Sequence, residues 1–361
     1  MLAGVAGGGP GGDGRRVPRE IEAVMGDGAG FTTTETAEGA ARRDPPRGVA
    51  LSGKKDLRAS LIGSCVVQAA ESAAAQPLEV LLERAWDLRL SAFGRDIEWV
   101  SPVRTAVLSV TGKSCALACA HCGGRYLEHM LPVHRWRELD ASNVKSCLVS
   151  GGCDPRGRVP VTDHLGIVAE LASRWPLNLH LGLVSEEDVA GIARFAPVVS
   201  FDLVVDDATI RDVYGLDVPG EQFLAIYDML RRYVRVVPHI CIGIRGGRVS
   251  GEIGALRALV RSGADAIIFI VFTPTPGTRY AACSPPEPEE AARIIAAARV
   301  MFPATPLYLG CMRPRDGYRD ALDSLALRAG VNRIVSPSRR AREAAKALGL
   351  EATWREECCA F

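Results

Sequence analysis

Three cysteines, Cys115, Cys119 and Cys122, stand within one short stretch, spaced C-x3-C-x2-C. Iron–sulfur clusters are ligated by cysteine sulfur, so three thiolates on one loop can hold three irons of a [4Fe–4S] cluster. The fourth iron then has no protein ligand, and an open iron is where a small molecule can bind and react. The competing chemistry is a structural zinc knuckle. Such sites are closed and four-coordinate, and are usually built from two cysteine pairs or with histidines. No second pair follows at that distance, and His121 sits between two ligands, a position from which it would turn away.

Such a loop needs a rigid frame. It follows an apolar run, 105–110, that reads as a strand. From Arg104 onward similar runs alternate with helical segments. The strand candidates are 105–110, 145–149, 179–184, 198–204, 234–244, 265–272, 306–310 and 332–335. Helices fit between them: one over 163–175, one opened by the capping box Ser185-Glu186-Glu187-Asp188, and others opened by Ser250, Pro285-Pro286 and Ser336-Pro337. Eight strand–helix repeats predict an α/β fold, a (β/α)8 TIM-type barrel over 101–350. A partial barrel of six repeats is the alternative. In these barrels the active site lies at the C-terminal ends of the strands.

Upstream, 51–100 reads as a helical N-terminal extension. Leu57, Leu61, Val66 and Val67 give a rough apolar face with Cys65 on or beside it, and a second helix runs from Pro77 to Phe93 before Gly94. Residues 1–50, rich in Gly, Arg, Asp and Ala, read as a disordered leader or a mis-called start. A transit peptide would be poor in acids, and this stretch holds Asp13, Glu20, Glu22, Asp27, Glu35, Glu38 and Asp44.

Polar and sulfur-bearing residues gather at the expected strand ends. The second strand ends in Ser150-Gly151-Gly152-Cys153-Asp154, and paired glycines let a ligand approach the backbone closely. After the fourth strand, Asp202 is placed to accept hydrogen bonds from ribose hydroxyls, as acids do in nucleotide sites. Asp206 better suits an N-cap for 207–210. His239 and Cys241 share one face of the fifth strand. Two prolines and a glycine stiffen the loop Thr273-Pro274-Thr275-Pro276-Gly277-Thr278 after the sixth. The seventh ends in Gly310-Cys311-Met312-Arg313, where a second cofactor or an anionic substrate could sit. The chain closes on a Cys-Cys tail, 351–361, with Cys358 and Cys359 adjacent. They read as idle thiols, a strained disulfide or metal ligands.

The cysteine loop resembles that of the radical S-adenosylmethionine superfamily. The resemblance implies that the open iron chelates S-adenosylmethionine and that an electron from the cluster cleaves it to methionine and a 5′-deoxyadenosyl radical. Ser150-Gly151-Gly152-Cys153 is similar to that family's Gly-Gly-Glu motif, with Cys153 where an acid is common; Asp154, or the carbonyls of Ser150 and Gly151, would stand in. The stretch around Gly246 to Glu252 resembles the segment that supports the adenine. The implied cofactor contacts are His121, Ser150, Gly151, Gly152, Asp202, Arg245 and Gly251, with Arg248 beside Arg245 as a second cation for a carboxylate. Cys153 and Arg313 are the candidates for acting on the reacting groups.

The Pro-Thr-Pro-Gly-Thr loop and the spare cysteines make the chain most similar to the biotin synthase and lipoyl synthase branch, and most like a component of the two-protein lipoyl synthases. That resemblance implies an auxiliary iron–sulfur cluster held by Cys311, Cys358, Cys359 and Cys65, consumed as sulfur donor to an unactivated carbon. It also implies an octanoylated lipoyl-carrier protein or a small molecule as substrate, a second radical S-adenosylmethionine protein as partner, and a flavodoxin- or ferredoxin-type reductant. The alternative is a maturase that rearranges a small cofactor precursor without sulfur insertion.

Bulk properties agree. The chain has 361 residues, 48% hydrophobic and 24% charged, ordinary for a globular protein. A net charge of +1 offers no nucleic-acid surface. No run approaches a membrane span, and no secretory signal opens the chain. The 11 cysteines therefore read as thiols and metal ligands in a reducing cytoplasm.

Overall fold

A computed structural model of the chain describes residues 76–361. The expected leader, the apolar face at 57–67 and Cys65 lie outside the described residues. Helix α1 (Leu78–Phe93) ends where Gly94 turns to φ 60, and a parallel α/β barrel-type sheet follows.

The sheet has eleven strands, all paired in parallel. They are β1 (Asp96–Val100), β2 (Thr105–Ser109), β3 (Leu131–Pro132), β4 (Ser146–Ser150), β5 (Leu177–His180) and β6 (Val198–Asp202). Then come β7 (Arg235–Ile242), β8 (Ile267–Val271), β9 (Leu307–Leu309), β10 (Arg333–Val335) and β11 (Glu351–Arg355). The order is β11-β1-β10-β9-β8-β7-β6-β5-β4-β2-β3. The eight expected barrel strands are β2 and β4 to β10, in sequence order round the sheet. Three strands were not anticipated: β1, the two-residue β3 and β11. β1 falls in the expected helical extension because Asp96-Ile97-Glu98-Trp99-Val100 is short and alternates in polarity. β11 is exposed along most of its length and carries no apolar run to betray it.

From β4 onward each crossover returns through a helix: α2 (Leu165–Ala172), α3 (Glu186–Ile192), α4 (Gly220–Leu230), α5 (Glu252–Ser262), α6 (Pro288–Met301), α7 (Asp316–Arg328) and α8 (Arg339–Ala347). The capping box at Ser185 starts α3, its hydroxyl taking the Asp188 N–H. Asp206 caps the short turn after β6, accepting the Thr209 N–H at 2.9 Å.

The strand period of two sorts side chains between helices and lumen. Val199, Phe201, Val236, Ile240, Ile267, Phe269, Leu307 and Ile334 face the helices in the larger core. Val198, Val237, Ile268, Tyr308 and Val335 face inward in a second cluster. That inner cluster includes Cys359 and Ala360, so the cysteine tail runs inside the barrel and fills its floor. Two arginines at strand starts hold it there. Arg235 Nη1 donates to the Ala360 carbonyl at 2.9 Å, and buried Arg333 donates to the carbonyls of Cys359 and Phe361 while pairing with Glu98.

Candidate active site in the barrel lumen

The cysteine loop leaves β2 and folds back on itself. Ser109 Oγ donates to the Gly112 carbonyl at 2.6 Å, and Thr111 Oγ1 donates to that of Ser114 at 2.8 Å. The Cys122 and Gly123 N–H groups both reach the Cys119 carbonyl. Ala118 takes φ 45, a left-handed conformation uncommon for a residue with a side chain and found where function demands it. The Ala120 N–H donates to the Val213 carbonyl, and the Tyr280 N–H to that of Ala120, which ties the loop across the mouth.

The strand-end glycines hold this loop from the side. Gly152 N–H donates to Thr111 Oγ1 at 2.7 Å, and the Ala116 N–H to the Cys153 carbonyl at 2.8 Å. A Cβ on Gly152 would lie 2.6 Å from Cys115 Cβ, and one on Gly151 would lie 2.9 Å from Val110 Cγ2. The close approach expected of a ligand is thus, at Gly152, made by the chain's own cluster loop.

The donor set suits a cluster of thiolate ligands. Hydrogen bonding between the two thiols pushes Cys119 up and Cys122 down, the latter against the effect of burial. Among the described residues no three His, Cys, Asp or Glu side chains are gathered closely enough to hold a single metal ion. A four-iron cluster asks for one sulfur per iron, which one loop can give.

Inside the barrel lies a cavity of about 230 Å3. A neighbouring one of about 150 Å3 reaches Ser150, Gly151, Cys153 and Leu117 of the cysteine loop. His180, Ser200, Asp202 and Tyr214 line both. The His180 and His239 rings are 5.9 Å apart. Burial keeps both imidazoles neutral, pulling His239 down to about 4 against the pull of Asp202. Burial also holds the Tyr214 phenol and the Cys241 thiol protonated. His121 edges onto Tyr214 at 5.9 Å, and its Nδ1 is buried without a hydrogen-bond partner among the described residues.

The tail brings sulfur to this space from below. Cys311, Cys358 and Cys359 line the larger cavity. Asn178 Nδ2 donates to Cys358 Sγ at 3.4 Å and its Oδ1 accepts from Ser200 Oγ at 3.0 Å. Donation from the Cys359 thiol, helped by Asn178 and Arg333, lowers Cys358 to about 6. Cys147 packs in the outer core, its thiol pushed up to about 12 by burial.

Several candidates are committed elsewhere. Arg313, expected at the reacting groups, is fully buried: Nε and Nη2 grip Asp323 at 2.7 and 3.0 Å, and Nη1 holds the Gly310 carbonyl. Arg245 pairs with Asp212, its Nε 2.8 Å away. Asp154 is turned into its own loop, accepting the Arg156 and Arg158 N–H groups. Gly251 abuts Asp206, whose Cβ would meet an added Cβ at 2.8 Å. Cys153 is a thiol raised to about 12 by burial and by Cys115. His180 was missed; the polar residues Asn178 and His180 alternate with leucine along β5, the one sign that they point inward.

No family model matches the chain. A biotin synthase from Neorickettsia sennetsu is 26% identical over 251 residues, 63% of this chain and 74% of that protein. Among solved structures, methylornithine synthase superposes with a TM-score of 0.57 at 15% identity, covering 82% of this chain and 98% of that one. The FeFe-hydrogenase maturase HydG from Carboxydothermus hydrogenoformans gives 0.58 at 12% identity, over 83% and 80%. These two share the fold.

Proposed function

We propose that the chain belongs to the radical S-adenosylmethionine superfamily, in its biotin synthase-like branch, and that it inserts sulfur into an unactivated C–H bond. The substrate we propose is a protein-bound octanoyl chain, as for a lipoyl synthase component. When bound, a [4Fe–4S] cluster and S-adenosylmethionine supply a 5′-deoxyadenosyl radical for hydrogen abstraction, and an auxiliary cluster supplies the sulfur.

The chain's residues divide the work by position. Cys115, Cys119 and Cys122 are the ligands for the first cluster. Asp202, on the wall shared by the two cavities, is the acceptor for ribose hydroxyls. His121 Nδ1 offers an unused polar atom to whatever fills the lumen; a buried polar atom without a partner is costly. Leu148, Ile244, Ile270 and Phe272 give the lumen an apolar wall that takes an alkyl chain and excludes water. Cys311, Cys358 and Cys359 lie at the same cavity and are the proposed ligands of the sulfur source. That all three line one lumen, with the tail held by Arg235 and Arg333, is the observation that carries the reading.

The test is product analysis by mass spectrometry. Reconstituted, reduced protein given S-adenosylmethionine and octanoylated carrier should yield 5′-deoxyadenosine and a sulfur-bearing carrier. The Cys358→Ala/Cys359→Ala variant should still release 5′-deoxyadenosine but leave the carrier without sulfur. Sulfur-bearing carrier from that variant at the wild-type yield would end the proposal. Asp202→Asn should weaken S-adenosylmethionine binding roughly tenfold with cluster iron unchanged.

A further inference from the structure

The lumen opens into a larger space. A cavity of about 690 Å3 lies at the barrel mouth, and Tyr126, Thr273, Cys311 and Met312 line both it and the lumen. It therefore adjoins the sulfur-lined interior as a vestibule.

Four arginines border the vestibule. Two are neutralised within the fold: Arg125 pairs with Glu128 at 3.0 Å, and Arg313 with Asp323 at 2.7 Å. The other two, Arg315 and Arg319, have no ion-pair partner among the described residues. Arg319 Nε is buried with no hydrogen-bond acceptor among the described residues. Burial and the nearby Arg313 guanidinium press against the Arg319 charge, only partly offset by Asp323, which Arg313 already engages. Arg315 immediately precedes α7, Arg319 lies in its first turn, and both line the vestibule. The start of that helix, with its unpaired N–H groups, favours negative charge as well.

We propose that Arg315 and Arg319 form a carboxylate-recognition site that holds the anionic end of a substrate whose apolar part enters the lumen. The inference rests on the lumen being the substrate chamber proposed above. Two sources could present the carboxylate: the free acid of the alkyl chain itself, or acidic side chains flanking an acylated lysine on a carrier. Both use the forked hydrogen bonding that arginine gives a carboxylate.

Calorimetry on the reconstituted full chain separates them. The first pair of probes is octanoate and octanamide; the second is octanoyl-lysine peptides flanked by Asp or by Asn. One acidic probe should bind roughly tenfold or more tightly than its neutral partner. Arg315→Gln/Arg319→Gln should abolish that preference with cluster iron unchanged, and added salt should weaken it. Preference in the first pair places the carboxylate on the chain, and in the second on the carrier. Equal binding within both pairs, a preference that survives the double variant, or no binding of any probe overturns the inference. Binding needs no turnover, so a carboxylate preference without sulfur transfer would refute only the proposed reaction.

Discussion

The Cβ that Gly152 lacks would stand 2.6 Å from the Cβ of Cys115 and 2.0 Å from the Ser114 carbonyl oxygen. The strand end and the cluster loop are packed backbone against backbone, and neither can retreat without moving a ligand. Gly152→Ala should therefore cost about 1–3 kcal/mol in strain. It should also reduce cluster iron after reconstitution while leaving the circular dichroism of the barrel unchanged. Wild-type iron in this variant would show that the two segments do not constrain each other.

Arg313 and Asp323 form a buried pair that joins the end of β9 to α7, and Arg313 Nη2 also reaches the Val335 carbonyl at 2.8 Å. Removing one partner leaves the other charge buried and unpaired. Asp323→Asn or Arg313→Gln should lower unfolding free energy by about 3–5 kcal/mol, read from urea denaturation. Normal stability with turnover lost in Arg313→Gln would instead return Arg313 to the reacting groups.

Burial lowers the His239 pKa from 6.5 to about 4 in the folded chain. The unfolded state therefore binds the proton first as pH falls. The contribution is complete above about pH 6.5 and is lost as pH drops toward 4. Between pH 7 and 5 this one group should cost on the order of 2 kcal/mol of stability. His180 is shifted in the same direction by the same cause and adds to the trend. His239→Gln should flatten the dependence measured by urea denaturation at the two pH values. An unchanged slope in that variant would mean that His239 is not held neutral by the lumen.

The parts legible in the sequence are those where local pattern and final structure coincide. The C-x3-C-x2-C spacing, the apolar runs that become β2 and β4 to β10, and the caps at Ser185 and Asp206 depend on residues close in the chain. What stayed hidden depends on distant partners. Nothing near Arg313 announces that Asp323, one helix later, consumes its charge. Arg245 likewise meets Asp212 from an earlier connection. The course of Cys358 and Cys359 into the barrel floor is set by Arg235 and Arg333, each at the start of a remote strand. β11 has no buried face of its own, and only its pairing to β1 makes it a strand.

The central claim is that two sets of cysteines serve two clusters at opposite ends of one chamber. It is tested most directly by iron and acid-labile sulfide per chain after anaerobic reconstitution, in the wild type and in Cys358→Ala/Cys359→Ala. Two four-iron clusters predict about eight irons in the wild type and about four in the variant. About four in both would contradict it: the tail would then hold no cluster, and a rearrangement without sulfur insertion would be the better reading.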